Sequence, residues 1–316
     1  MQPFIALTDK AWFDFLAARA GGTTLDEVNF WSPMSPRRMK KFALGEPIFF
    51  RLKSPHKAIT GYGFFAHFCT LSLRDAWDFF GWKNGDPDEM RFLSRIGGYR
   101  KTNPFTPGQE AAPLGCTVLR HARFWPEDRW LEWGDARGWK NNVVRGATET
   151  DPHRADRLMA EIAADRQTAP EDLIDIFEPV EADERILITS RQVQREGQGT
   201  FRARLLDAYG RRCAITGERT ELVLDAAHIQ PYLGPRSNHI QNGLLLTKEF
   251  HTLFDNGYVT VSPEHSIMIS PRLRQEWHNG KRYYEFDGAP LRPPVDLPAA
   301  PSPAALAWHR ERVFRT

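Results

Sequence analysis

The stretch from Leu222 to Asp255 most constrains the fold, because its apolar pattern changes from strand-like to helix-like over a short distance. The run LVLDAAHI is rich in aliphatic residues and predicts a strand. Asn242-Gly243 is a turn signal, and three consecutive leucines after it indicate a second strand. A helix start follows at Thr247. The pattern therefore predicts a strand, a loop, a second strand and a helix.

Three polar residues occupy defined places in this pattern. His228 ends the first strand, Asn242 lies at the turn 14 residues later, and His251 follows nine residues further on, near the start of the helix. A neutral imidazole takes a proton from water near pH 7, and a metal held by a second imidazole stabilises charge on a phosphate. The set suits phosphodiester hydrolysis. His228 alone would fit a buried core histidine, but its spacing with Asn242 and His251 favours the chemical interpretation.

The motifs AAHIQPY, NGLLL and HTLFDNG resemble the HNH (ββα-metal) nuclease superfamily, in the variant found in restriction endonucleases, over about residues 191 to 262. The resemblance implies that His228 is the general base and Asn242 a structural amide. It implies that His251 is a ligand of a divalent metal ion, Mg²⁺ or Mn²⁺. It also implies cleavage with inversion at phosphorus, leaving 5′-phosphate and 3′-hydroxyl ends.

The second metal ligand is left open by the sequence. Many members of the superfamily carry Asp or His directly before the general base, where this chain has Ala227. Asp225 lies two residues earlier and shares a strand face with that position. Asp255 lies one helical turn after His251 and is the competing candidate. We favour Asp225.

Basic residues around the motif are candidates for phosphate contacts. We predict that Arg211, Arg212 and Lys248 contact the DNA backbone, with an ordinary solvated surface as the alternative. The formal net charge of the chain is only +2, but both ends are basic and the segment between them is acidic. This distribution permits polyanion binding by both ends.

At 316 residues the chain is too long for one ordinary core. A Pro-rich, acidic passage predicts a boundary near residue 185, and Asp151-Pro152 marks the start of an amphipathic helix within this connector. We predict an α+β protein with a recognition domain at 1–146, a partly helical linker at 147–185 and an HNH nuclease domain at 186–316.

Several classes of protein are disfavoured by composition. The chain has no apolar run long enough to span a membrane, and its first residues lack the features of a secretory signal. The three cysteines form no C-x-x-C pair, which argues against a disulfide framework and a structural zinc site. We expect a cytoplasmic protein.

Aromatic strand-like runs with Gly-rich turns fill the first 146 residues and predict a small mixed β-barrel with helices. Residues 26 to 146 resemble the PUA-like superfamily, whose EVE, YTH and SRA relatives take a nucleotide out of the stack to inspect a modified base. Stacking of the extruded base on aromatic side chains offsets the free energy that is lost when the base leaves the DNA stack. We predict that Trp31, Ser32, Trp82 and Asn84 bind the base; for both tryptophans a core role is the alternative.

Together these features predict a modification-dependent restriction endonuclease. Its partner would be double-stranded DNA carrying a modified cytosine, recognised by base flipping. One HNH site cuts one strand, so a double-strand break predicts a homodimer. The alternatives are a non-catalytic modified nucleic-acid binder, an RNA-directed PUA-like/HNH protein, and an HNH nuclease indifferent to modification.

Overall fold

The computed structural model describes residues 2–34, 41–103, 106, 109, 112–134, 146–165, 177–180, 186–189, 192–194 and 197–316. The chain divides into two compact units, Met1–Ile174 and Asp175–Thr316. Both contain helices and strands, so the predicted α+β class is confirmed. In the described residues no helix is both long and apolar enough to cross a membrane.

Unit 1 has seven strands and four helices in its described part. The strands are β1 Phe4–Thr8, β2 Thr24–Ser32, β3 Pro47–Leu52, β4 Ala58–Ser72, β5 Pro113–Phe124, β6 Leu131–Glu132 and β7 Gly146–Thr148. The helices are α1 Lys10–Ala20, α2 Leu73–Phe80, α3 Glu89–Arg100 and α4 Pro152–Ala164.

The seven strands form one mixed sheet. Its order is β2-β5-β4-β3-β1-β7, with β6 paired to β4. The β1–β3 pair is parallel, whereas the other pairs are antiparallel. Within the described part of unit 1 this order is an open path ending at β2 and β7, so the mixed sheet is present but a closed ring of strands is not seen.

Strand β3 shows why the sheet is covered on both faces. All six of its residues are buried, which fits its nearly continuous apolar sequence. Neighbouring side chains of a strand point to opposite faces. Phe50 accordingly joins a cluster with Trp12 and Phe13 of α1, and Phe49 joins a second cluster with Leu158 of α4. Helices α1 and α4 therefore cover opposite faces.

The amphipathic helix predicted in the acidic connector is α4. The Asp151 carboxylate caps it by accepting a hydrogen bond from the backbone N–H of Arg154. Ile162 is buried in the same cluster as Trp125, so this helix packs within unit 1. The boundary predicted near residue 185 lies outside the described residues.

Unit 2 contains three two-stranded antiparallel pairs and five helices in its described part. The strands are β8 Ile186–Thr189, β9 Gln192–Gln194, β10 Leu224–His228, β11 Gly243–Thr247, β12 Val259–Val261 and β13 Ile267–Ile269. The helices are α5 Gln198–Ala208, α6 Lys248–Asp255, α7 Arg272–Trp277, α8 Lys281–Tyr284 and α9 Pro303–Arg312.

Candidate active site

The predicted strand–loop–strand–helix order is confirmed at β10, β11 and α6. The two strands are antiparallel, with Asp225 opposite Leu246 and His228 opposite Gly243. Thr247, in an extended conformation, precedes the first residue of α6. His228 is thus the last residue of β10, and His251 lies in the first turns of α6.

The imidazole of His228 is held on two sides. Its ring stacks on Phe201 of α5, with centroids 4.2 Å apart and an interplanar angle of 12°. Its Nε2 lies 2.9 Å from Oδ1 of Asn238, and the residue is only 9% exposed. Since an amide oxygen only accepts hydrogen bonds, this contact favours a proton on Nε2. Nδ1 is then the basic nitrogen of the ring.

Asn242 fixes the loop that follows His228. Its side chain is fully buried, and Oδ1 accepts a hydrogen bond of 2.8 Å from the backbone N–H of Gln230. Nδ2 donates to the carbonyl of Gln230 at 3.0 Å and to that of Ser237 at 2.9 Å. The amide of Asn242 therefore ties the end of the loop to Gln230 near its start and to Ser237 within it.

Gly243 allows α5 to approach the hairpin. A β-carbon at this position would lie 2.6 Å from Cδ1 of Leu205 and 2.7 Å from Cζ of Phe201. Both distances are far below van der Waals contact. The imidazole of His228 stacks on Phe201. The absence of a side chain at position 243 therefore also affects the position of this imidazole, because it lets Phe201 approach the hairpin.

We expect Gly243→Ala to lower the free energy of unfolding by about 1–3 kcal/mol, because the added methyl group overpacks the contact with Phe201 and Leu205. Urea denaturation followed by circular dichroism measures the change. Gly98→Ala is the control, since a β-carbon there meets no atom within 4 Å and alanine favours the surrounding helix α3. Equal urea midpoints for Gly243→Ala and the wild type would contradict the steric argument.

His251 lies between two carboxylates. Its Nδ1 is 2.9 Å from Oδ2 of Asp225, and its Nε2 is 3.2 Å from Oδ2 of Asp255. The other oxygen of Asp225 pairs with Arg202 of α5 at 2.5 Å and accepts a hydrogen bond from the backbone N–H of Ala226. The structure thus brings both candidate second ligands to the predicted metal-binding histidine, one on each ring nitrogen.

These contacts shift the proton equilibria of the cluster. Burial opposes the charged form of His251, but hydrogen bonds to Asp225 and Asp255 raise the pKa of this imidazole to about 9. Burial also opposes ionisation of Asp225, yet its hydrogen bond to His251 and the charge of Arg202 lower the pKa of the carboxyl group. A metal ion binds only a neutral imidazole, so it competes with a proton for this ring.

Residues 213–262 match the model of the family HNH_2, described as HNH endonuclease. This segment is an HNH endonuclease domain. It contains β10, β11 and α6 together with His228, Asn242 and His251. HNH endonucleases are metal-dependent, so the chain is a metal-dependent nuclease.

Comparisons over longer parts of the chain give weaker similarities. A crystal structure of ASCH from Zymomonas mobilis shares 15% identity at a TM-score of 0.32, covering 50% of this chain and 94% of that one. The modification dependent TagI restriction endonuclease shares 10% identity at a TM-score of 0.29, covering 92% of this chain and 76% of that one. TM-scores this low do not establish a shared fold. No curated protein matches this chain.

The donor atoms of the HNH domain fit a divalent cation. Two ligands at right angles on bonds of about 2.1 Å are about 3 Å apart. The 2.9 Å between Nδ1 of His251 and Oδ2 of Asp225 agrees with that spacing. Among the described residues no three His, Cys, Asp or Glu side chains surround one point. Asp225 and His251 would therefore be the pair of side chains that holds such a cation.

The predicted phosphate-binding residues lie in different surroundings. Lys248 is exposed at the first position of α6, three residues before His251. Arg211 forms ion pairs with Glu221 at 2.5 Å and Asp207 at 3.8 Å. Arg212 is half-buried. Of these three residues, only Lys248 lies on α6, the helix that also contains His251.

Unit 1 contains a cavity at two of the predicted base-binding residues. Trp31 and Ser32 line it together with Asp9, Lys53 and Tyr99. The ring of Trp31 meets that of Tyr99 edge-on, with centroids 5.9 Å apart. The hydroxyl of Tyr99 donates a hydrogen bond to the Asp9 carboxylate. Aromatic walls, a carboxylate and a cation thus converge in one concave site.

Trp82 and Asn84 are not part of the lining of this cavity. The guanidinium of Arg19 lies 5.4 Å from the ring of Trp82, which packs against the core of unit 1. The amide of Asn84 is fully buried: Oδ1 accepts from Asn29, and Nδ2 donates to the carbonyls of Ala76 and Gly81. Its backbone carbonyl accepts from Nε1 of Trp31 at 2.8 Å. Asn84 therefore positions Trp31 from behind.

Proposed function

We propose that the chain is a modification-dependent DNA endonuclease that flips a modified cytosine into the cavity of unit 1 and cleaves with its HNH domain. The observation that carries the proposal is the aromatic cavity at Trp31, in a chain whose other unit contains the nuclease domain. A nuclease that cut any DNA would have no use for such a cavity.

The chemistry of the cavity fits a cytosine base. Burial raises the pKa of Tyr99 to about 12, helped by its hydrogen bond to Asp9, so the phenol stays neutral at pH 7. Burial opposes ionisation of Asp9, but the bond from Tyr99 helps to lower the pKa of this carboxyl group. An ionised carboxylate accepts a hydrogen bond from the exocyclic amine of cytosine. Trp31 and Tyr99 supply rings for stacking, and Ser32 supplies a hydroxyl in the lining.

Cleavage follows from the HNH domain. Nδ1 of His228 takes a proton from water, which attacks phosphorus while the bond to the 3′ oxygen breaks. Asn242 keeps the loop beside His228 in place. Asp225 and His251 would hold a divalent cation, Mg²⁺ or Mn²⁺, which supplies Lewis-acid stabilisation of the leaving oxygen. Asp255 then orients the imidazole of His251 through Nε2.

The DNA backbone needs positive partners near this site. We propose that Lys248, Arg211 and Arg212 contact phosphates, with Lys248 nearest to His251 along the chain. One such site hydrolyses one strand, so we propose that a homodimer in the cytoplasm makes the double-strand break.

A panel of DNA substrates tests the proposal. The same plasmid sequence is prepared with cytosine, 5-methylcytosine, 5-hydroxymethylcytosine and glucosylated hydroxymethylcytosine, and each is digested in Mg²⁺ and Mn²⁺. We expect cleavage of at least one modified DNA and little cleavage of unmodified DNA. Loss of base stacking in Trp31→Ala is expected to lower cleavage of modified DNA by about 5- to 150-fold.

Trp82→Ala is the matched control for this experiment, since Trp82 lies outside the cavity lining and its loss should leave the preference for modified DNA unchanged. Thermal melting of both variants separates a loss of recognition from a loss of folding. Equal cutting of all DNAs would refute modification dependence. Binding without nicking would point to a non-catalytic reader, and preferred cutting of modified RNA would refute the DNA substrate.

A further inference from the structure

A second concave site lies in unit 2, next to the HNH helix. It is an open groove of about 600 Å³. The groove is lined by α6 and the turn after it, by α7 and α8 with the turn between them, and by the carboxyl-terminal tail. Its lining residues include Thr252, Tyr258, Glu276, Trp277, Tyr283 and Arg315. We call it the Trp277 groove.

Trp277 is the only exposed tryptophan among the described residues, with 65% of its surface accessible. Its indole is nevertheless fixed, because Nε1 donates a hydrogen bond of 3.0 Å to the hydroxyl of Tyr258. That hydroxyl donates in turn to Glu276 at 2.6 Å. An exposed aromatic ring whose edge is fixed by a hydrogen bond offers a rigid surface on which a nucleobase can stack.

One cationic side chain lines the groove, and others follow or precede its lining residues in the sequence. Arg315 lies over Tyr258, 4.8 Å from the ring centroid, and pairs with Glu276 at 3.2 Å. The segment 272–285 carries four Lys and Arg residues against two Glu. Of these cations, Arg274 and Lys281 are exposed beside the lining residues of the groove. The combination of aromatic faces and cations is that of a groove for a nucleic-acid strand.

The groove continues from the metal-binding face of α6. Thr252 lines the groove and directly follows His251 in the helix. Successive residues of a helix are rotated by about 100°, so these two side chains lie on neighbouring faces. A DNA strand whose phosphate is bound at His251 therefore reaches the groove within a few nucleotides.

We propose that the Trp277 groove binds an unpaired stretch of the DNA strand beside the cleavage site, with a nucleobase stacked on Trp277 and phosphates near Arg274 and Lys281. This inference rests on the proposed DNA cleavage. It assigns unit 2 a strand-holding site beside α6, distinct from the base cavity of unit 1.

The test measures binding of a fluorescein-labelled, unmodified single-stranded oligodeoxynucleotide to the full chain in EDTA, by fluorescence anisotropy. We expect Trp277→Ala to raise the Kd by about 5- to 150-fold and Trp277→Phe to raise it less, because a smaller ring still stacks. We expect Lys281→Ala to lower the slope of log Kd against log salt by about 0.7. Val295→Ala is the control, since Val295 is 77% exposed and lies outside the groove.

Wild-type affinity in both Trp277→Ala and Lys281→Ala would overturn the proposal. A change in sedimentation of Trp277→Ala, with unchanged oligonucleotide binding, would instead make the groove an interface between protein chains and would also overturn it. Digestion of the modified plasmids by wild-type protein is scored in parallel. If the wild type cuts modified DNA and the variants bind the oligonucleotide normally, this inference fails while the proposed function stands.

Discussion

Replacing His228 with alanine is expected to lower the rate of strand cleavage by about 10²–10⁴-fold and to leave DNA affinity unchanged. The ring is the proposed base, and its stack on Phe201 and its contact with Asn238 hold it in one orientation. Single-turnover cleavage of a nicked-circle substrate in saturating Mg²⁺ isolates the chemical step. Affinity is measured separately in EDTA by a gel shift.

His239→Ala is the matched control for this experiment. His239 is another buried histidine of the same loop, stacked on Phe177 with centroids 5.9 Å apart, and it takes no part in the proposed chemistry. We expect its removal to lower the melting temperature while the single-turnover rate of the folded protein stays near that of the wild type. If the two variants lose the same fraction of activity, His228 is a packing residue rather than a base.

The HNH domain could be predicted from the sequence because its signals are local. Apolar runs and a helix start lie within one continuous segment, and each of these elements follows from its own residues. The turn predicted at Asn242-Gly243 is different in the structure, where Asn242 ends a short 3-10 helix and Gly243 is the extended first residue of β11. Helix α4 could be predicted for the same reason, because Asp151-Pro152 is a local helix-start signal. Local periodicity was sufficient to place His228 at the end of a strand and His251 in the first turns of a helix.

Contacts between distant residues could not be predicted in this way. Arg202 reaches Asp225 across 23 residues, and Tyr99 reaches Asp9 across 90. Nothing in the spacing of either pair indicates the contact, since it depends on how α5 packs on β10 and how α3 packs near α1. Asp9 carries one signal that was available: it precedes a helix as a capping residue.

The tryptophans of unit 1 show the same limit. Trp31 and Trp82 each have a polar residue nearby, Ser32 and Asn84, so the sequence treats them alike. In the structure Trp31 lines the cavity, whereas Trp82 packs against the core beneath Arg19. The amide of Asn84 is engaged within the protein, because it hydrogen-bonds to Asn29 and to nearby backbone carbonyls. Which of two similar side chains faces a cavity is decided by tertiary packing.

The choice between Asp225 and Asp255 leads to the second large effect. If Asp225 and His251 hold the cation and Asp255 orients the imidazole, Asp225→Asn should raise the Mn²⁺ concentration for half-maximal cleavage at least about tenfold more than Asp255→Asn. Loss of a carboxylate that only orients a ligand costs about 10- to 100-fold. The structure motivates this order, because Asp225 is anchored by Arg202 and Ala226 while the Asp255 side chain is 55% exposed.

Arg202→Gln separates the loss of a ligand from the loss of an ion pair, since it removes the partner of Asp225 and keeps the carboxylate. We expect this variant to need no more Mn²⁺ than the wild type, because the charge of Arg202 opposes a cation beside the same carboxylate. Thermal melting with and without Mn²⁺ gives a readout independent of cleavage, since a bound ion stabilises the folded chain. A larger Mn²⁺ requirement for Asp255→Asn than for Asp225→Asn would exchange the two roles. In that case Nε2 of His251 would face the cation, and Asp225 with Arg202 would orient the ring from the other side.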